Sequence, residues 1–304
     1  MICFGSRRAP NLPTAEDADT PCVCFLTFDE MERNGKALGI APAVLRECMR
    51  TTSSKLERYE GCDLISLFIP RVQDSGKQAT YTRVCIYMHT NLLVFVCDVP
   101  HPTAFLINRL CTESVETLGL SHLLYSFLDR ITADDTAELE AIEQQIWSLE
   151  EALMDSPKQD YLHSIMQVRQ KLMYLKRYYE QLVDVAEALE DNENRLLSHA
   201  SLRYFRILTN RCNRLYHAVL NLRDYATQVR EAYQAQVDIG LNSLMKLFTV
   251  ITAIFSPLTL IVGWYGMNLK MPEFGWQYGY PFVIVLSIAV VVVCVILFKR
   301  NKWF

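Results

Sequence analysis
Charge is what this chain of 304 residues lacks towards its C-terminus: no Asp, Glu, Lys or Arg occurs from Leu247 to Met267, nor from Phe274 to Phe298. Neither stretch suits the water-facing surface of a globular domain. Proline is missing from Leu202 to Ser256, so nothing in the backbone interrupts a helix there. Glycine-rich phosphate loops, Walker patterns and nucleophile elbows are missing too, which leaves no expected catalytic residue and no enzyme activity. The six histidines show no paired metal-ligand spacing, and each is expected to be satisfied or exposed. MICFGSRRAPNLP at the N-terminus has no apolar core, so a cleaved signal peptide is not expected.

Ten cysteines are present without a C-x-x-C pair, scattered through apolar patterns, which predicts reduced, buried thiols. Cys22 and Cys24 are expected on opposite faces of a strand. Hydrophobic residues make up 51% of the chain, which excludes a disordered polymer. The net charge of −4 hides a segregation: Asp129 to Asp160 carries ten acids and two bases, Met166 to Arg230 eleven bases and seven acids. The bases are interleaved with acids and large apolar residues on helical sequence, so no nucleic-acid partner is expected.

An apolar helix of about 20 residues crosses a bilayer core of roughly 30 Å, and each uncharged stretch is that long. Only NLKMPEFG separates them, so they are expected to form a hairpin with both ends on one side. Lys246 precedes the first span and Lys299, Arg300 and Lys302 follow the second, whereas Lys270 in the loop is balanced by Glu273. The positive-inside rule predicts cytoplasmic termini in a multi-pass protein of the inner (cell) membrane, with the lipid bilayer as its surroundings. Trp264, Tyr265, Trp276, Tyr278 and Tyr280 fall at the outer ends and Trp303 at the inner end, as an aromatic belt would.

The fold class that follows is an α+β membrane protein. Residues 1–117 are read as a cytoplasmic α/β domain, 118–199 as an acidic helical pair, and 200–246 as a stalk helix. Residues 247–267 form the first transmembrane helix, 268–277 an extracytoplasmic loop, 278–298 the second, and 299–304 a basic tail. CVCFLTF, CDLISLFIP, RVCIYM and NLLVFVC are predicted strands, the last two joined by a His89-Thr90 turn, with a helix over Ala41 to Met49. The acidic helix is expected to end near Met154, with a break at Ser156-Pro157 and a further helix from about Asp160 to Leu189.

Leu208, Cys212, Leu215, Val219, Leu222, Ala226, Val229 and Tyr233 recur at heptad spacing. An ordinary bundle would carry the same seam. Length and continuity into the first span favour a stalk, the whole helix to Tyr265 being on the order of 90 Å long.

Asn242, Met245, Phe248, Thr252, Ser256, Thr259 and Gly263 fall on one side of the first span, and Leu244, Leu247, Ile251, Phe255, Leu258 and Val262 on another. Small and hydroxyl residues at such spacing serve helix packing as readily as a water-filled path. Glu231 and Asp238 continue the stripe inward by heptad steps, and Asn268 continues it outward. Symmetric copies would stack acidic, hydroxyl and amide rings, a layout for cations, with Met245 and Phe248 as an apolar constriction able to close by dewetting. Pro257 removes the amide that would serve the Ala253 carbonyl, leaving either a packing kink or a freed carbonyl.

YGMN followed by MPE resembles the CorA family of divalent-cation channels. NSLMKLFTVITAIFSPLTLIVGWYGMN, MPEFGWQYGYP and the ending KRNKWF are similar to that family's hairpin. The resemblance implies a homopentameric funnel with a pore from five copies of the first span. Gly266, Met267 and Asn268 would be the selectivity element, and Asn242, Thr259 and the inner apolar residues the pore lining. The chain departs where the family commonly has Met at the position of Ser256 and Leu at that of Phe248, which shifts the expected gate inward to Met245 and Phe248.

Mg²⁺ is the expected cargo and regulator, with no resident cofactor. Asn268, Asp238 and Glu231 are its candidate contacts, because amides accept hydrogen bonds from bound waters without stripping a tightly held shell. Gly266 is expected to let the chain leave the helix in a C-cap geometry. Zn²⁺, Co²⁺ or Ni²⁺ transport by the same architecture, with or without proton coupling, is the competing reading; a membrane-anchored scaffold is another.

Overall fold
The computed structural model describes residues 2–5, 7–9, 21–71, 80–97, 119–155, 161–267 and 275–301. They fall into two compact units, Met1–Arg230 and Glu231–Phe304. The first contains one sheet of seven strands: β1 (Ile2–Gly5), β2 (Arg7–Ala9), β3 (Cys22–Leu26), β4 (Lys55–Tyr59), β5 (Cys62–Arg71), β6 (Thr80–His89) and β7 (Leu92–Cys97). Their order is β2-β1-β3-β7-β6-β5-β4, and the neighbours are antiparallel except β3 and β7.

The central strands read as near-continuous apolar runs because both faces of the sheet are covered. On one face Cys24, Leu64, Cys85 and Val94 join a core with Met31 of α1 (Phe28–Asn34) and Val44 and Cys48 of α2 (Pro42–Arg50). On the other face Phe95 meets Phe127 of α3, helical over 119–131, edge to face at 5.2 Å. The α1 start is set by a capping box, in which Thr27 Oγ1 accepts from the Glu30 amide at 3.1 Å and Glu30 Oε2 accepts from the Thr27 amide at 2.9 Å.

Several local expectations are corrected. Cys22 and Cys24 share a face, because side chains two apart on a strand point the same way; their sulfurs lie 4.0 Å apart as hydrogen-bond partners, without a disulfide. The β6–β7 hairpin turns through Thr90-Asn91, one residue later than expected, with His89 opposite Leu92. Strand β4, KLERY, carries no apolar run; it is an edge strand whose Lys55 pairs with Glu47 and Glu57, both at 2.6 Å, and charge suits an edge.

The helical part of this unit consists of α3, α4 (Asp135–Asp155), α5 (Tyr161–Asp191) and the first part of α6 (His199–Tyr265). The expected break at Ser156-Pro157 lies outside the described residues. Helix α5 buries Ile165, Val168, Leu172, Leu175, Tyr179 and Leu182, the 3-and-4 spacing of one helical face. The heptad seam of α6 is buried from Leu208 to Val229, while Tyr233 is half-buried. This burial occurs within one chain.

Helices α4 and α5 are tied to α6 and to each other by polar bonds: Tyr225 donates to Glu150, Lys171 pairs with Glu138 at 3.0 Å, and Arg206 approaches Glu190 at 3.9 Å. The seam therefore belongs to a bundle as far as Val229, and the helix that carries it continues uninterrupted over 67 residues. Helix α7 (Gly279–Arg300) follows, with Lys299 and Arg300 in its last turn. None of the eight cysteines with described side chains is in a disulfide, and seven of them are buried.

Candidate pore helix
Helices α6 and α7 are long and apolar enough to cross a membrane. Val283, Leu286, Ser287, Val290, Val291, Cys294 and Phe298 form the half-buried side of α7, at the spacing of one helical face. On α6 the covered residues are Val250, buried, and Ala253, Ile254, Pro257, Leu258 and Ile261, half-buried. At 3.6 residues per turn most of these lie about half a turn from Thr252, Ser256 and Thr259. The side of α6 that α7 covers is thus opposite the polar stripe.

Asn242, Met245, Phe248, Thr252, Ser256, Thr259 and Gly263 are all exposed in the single chain, as are Glu231 and Asp238 nearer the first unit. They line one side of one helix and do not converge on a common point. Met245 and Phe248 are 63% and 62% exposed, two large apolar side chains with nothing packed around them. Leu244, Leu247, Ile251, Phe255 and Val262, on the other, apolar side, are also exposed; Leu258 is partly covered.

Two of the stripe's hydroxyls, those of Thr252 and Thr259, are already satisfied as donors. Thr252 Oγ1 donates to the Phe248 carbonyl and Thr259 Oγ1 to the Phe255 carbonyl, each at 2.8 Å. A hydroxyl whose proton points back to the helix presents its oxygen lone pairs outward. That is the polarity a water bound to a cation requires, since such a water offers its hydrogens.

Pro257 sits inside α6, and the Ala253 carbonyl that it leaves without an amide receives the thiol of Cys294, with sulfur and oxygen 3.8 Å apart. Helix α6 ends at Tyr265. The Gly266 amide still donates to the Val262 carbonyl at 2.8 Å, and the Met267 amide to the Trp264 carbonyl at 3.4 Å. The chain leaves the helix at Gly266 as expected, and since Gly266 is not among the positive-φ glycines its cap is not the left-handed one. It is small for another reason, since a Cβ there would stand 2.8 Å from the Val262 oxygen. Asn268 lies outside the described residues, as do Lys270 and Glu273.

The acidic segment does not gather a metal site: no group of three or more His, Cys, Asp or Glu is placed to hold an ion among the described residues. Three of its acids have protein partners instead: Asp129 meets Arg211 at 2.7 Å, Glu138 meets Lys171, and Glu150 accepts from Tyr225. Asp135 at the start of α4 is different. Its Oδ2 is shut off from solvent with no hydrogen-bond partner, and burial pushes its carboxyl up to about 6 against the Tyr179 hydroxyl, which favours the ionised form.

An α/β unit followed by two C-terminal helices able to cross a bilayer, the first continuous with a long bundle helix, defines a two-span membrane protein. The chain belongs to the CorA-like Mg²⁺ transporter protein family, whose family model matches residues 27–300. It is 29% identical over 300 residues to the cobalt/magnesium transport protein CorA of Thermotoga maritima, covering 94% of this chain and 84% of that protein. The fold is similar to the complete structure of the CorA magnesium transporter from Methanocaldococcus jannaschii, with a TM-score of 0.81, 22% identity, and 100% and 99% of the two chains covered. It is also similar to full-length CmaX, with a TM-score of 0.77 at 16% identity over 100% and 98% of the chains. At such identities these two likenesses concern the fold.

Proposed function
We propose that this chain carries Mg²⁺ passively across the inner (cell) membrane, as a homopentamer with cytoplasmic termini in which five copies of the α6 stripe line the path. The observation that carries this reading is the exposed stripe itself, with Thr252, Ser256 and Thr259 outward of the apolar pair Met245 and Phe248, on the side of α6 that α7 leaves open. Glu231 and Asp238 would gather cations at the inner mouth, Thr252, Ser256 and Thr259 would accept hydrogen bonds from the ion's waters, and Gly266, Met267 and Asn268 would form the outer mouth. Uncharged oxygen ligands release the ion as well as bind it, which conduction needs. An inside-negative potential supplies about 2.3 kcal/mol per charge per 100 mV.

Met245 and Phe248 form the gate in this reading, held closed when cytoplasmic Mg²⁺ is plentiful. Co²⁺ is a second cargo, in keeping with the name of the Thermotoga maritima relative. The test is Mg²⁺ entry into liposomes that contain the purified chain, with Co²⁺, Ni²⁺ and Zn²⁺ as competitors. Robust Zn²⁺ entry without Mg²⁺ entry would overturn the cargo. Asn268→Ala should abolish Mg²⁺ entry; unchanged flux in a folded variant would leave the hairpin as an anchor for a scaffold.

A further inference from the structure
A carbonyl inside a membrane-spanning helix has no water to turn to, so an amide lost to proline must be replaced by another donor. Pro257 creates this need at Ala253, four residues back on α6, and the Cys294 sulfur of α7 stands 3.8 Å from that oxygen. Both residues are half-buried, on the sides of α6 and α7 that are covered. Ser256 and Thr259 occupy the other side of the same α6 turns, where they are exposed.

We propose that the Cys294 thiol takes the place of the amide missing at Pro257, and so fixes how α6 lies against α7 and the direction in which Ser256 and Thr259 face. Cys294 is a positioning residue: it acts on the stripe through the backbone between Ala253 and Pro257. A thiol suits the place because it is a weak donor on a small, nearly apolar side chain. It satisfies the carbonyl when the helices are together and loses little when they part, so the packing of α6 can change as α7 shifts.

The effect on ion flux rests on the reading of α6 as pore lining; the effect on stability does not. The experiment is a double-mutant cycle on the full chain, with Cys294→Ala and Pro257→Ala alone and combined, and Cys294→Ser as the variant that keeps a donor. Melting temperature in detergent and Mg²⁺ entry into liposomes are measured for each.

Cys294→Ala should lower the Tm and change the Mg²⁺ entry rate by at least about twofold, the lower end of coupling between contacting residues. Beside Pro257→Ala, which restores an amide to Ala253, the same substitution should have less than about half that effect on both. Cys294→Ser should stay close to the parent. Equal effects of Cys294→Ala in both backgrounds, no effect in either, or a Cys294→Ser variant as impaired as Cys294→Ala would overturn the proposal. Where the parent itself carries no Mg²⁺, the transport reading fails, and the Tm cycle alone decides whether the thiol serves Ala253.

Discussion
Gly266 lies so close over the Val262 carbonyl that a Cβ at position 266 would come within 2.8 Å of that oxygen, to which the Gly266 amide itself donates. The contact is with backbone, which cannot rotate away as a side chain can. Glycine is therefore required here by space and not by a left-handed φ, unlike Gly39, Gly61 and Gly119. Gly266→Ala should push the chain outward just where Met267 and Asn268 follow, at a cost of about 1–3 kcal/mol for overpacking. The expected outcome is Mg²⁺ entry reduced about tenfold or more, with helix content by circular dichroism unchanged.

Phe248 projects unpacked from the stripe beside Met245. If the two close the path by excluding water, a hydroxyl at position 248 should wet it. Phe248→Ser is expected to raise Mg²⁺ entry at high internal Mg²⁺, the condition under which the proposed gate would close in the parent. Equal block of parent and variant by internal Mg²⁺ would remove Phe248 from the gate.

Asp135 makes stability depend on pH. Its carboxyl titrates at about 6 in the fold against an ordinary 3.8, first because burial disfavours the charge and then because Glu138 and Asp134 are near; the Tyr179 hydroxyl and Arg211 act in the opposite direction. A raised carboxyl means that the folded chain holds the proton more tightly than the unfolded one. The associated stability is complete below about pH 4 and lost as pH rises through about 6, a loss of roughly 2–3 kcal/mol by pH 7.5. Asp135→Asn should flatten this part of the profile and raise the melting temperature at pH 7.5, measured by thermal unfolding of the full chain between pH 4.5 and 8.

Leu208 is 1% exposed within the bundle, whereas Leu244, also on α6, is 54% exposed in the single chain. Leu208→Ala should cost about 2–5 kcal/mol through the cavity that it leaves. Leu244→Ala removes a side chain that no element of its own chain covers, and should change unfolding of the first unit by less than about 0.5 kcal/mol. Tryptophan fluorescence during denaturant unfolding checks both, and equal losses would contradict the division of α6 into covered and open halves.

Much of the architecture was legible in advance because it depends on local regularities. The two spans follow from the length of charge-free sequence, the single long helix from the proline-free run to Ser256, and the stripe from spacing on a 3.6-residue period. Strands β5, β6 and β7 were legible as apolar runs, but β4 was not, since an edge strand facing water needs no such run. The cysteine pair Cys22 and Cys24 was misread by a misapplied strand period. In the candidate site, Pro257 pointed to a freed carbonyl at Ala253, but no local pattern marked Cys294, 41 residues away, as its donor.

By itself, then, the sequence determined how many helices can span a bilayer, where they lie and which residues share the polar side of the first, since charge, length and periodicity are properties of adjacent residues. Tertiary structure alone decided that α7 covers the side opposite the stripe, that the heptad seam is used within one chain as far as Val229, and that Asp135 loses its solvent. Each of these depends on which distant segments come together, and burial of a face or a carboxyl is a property of the partner as much as of the residue.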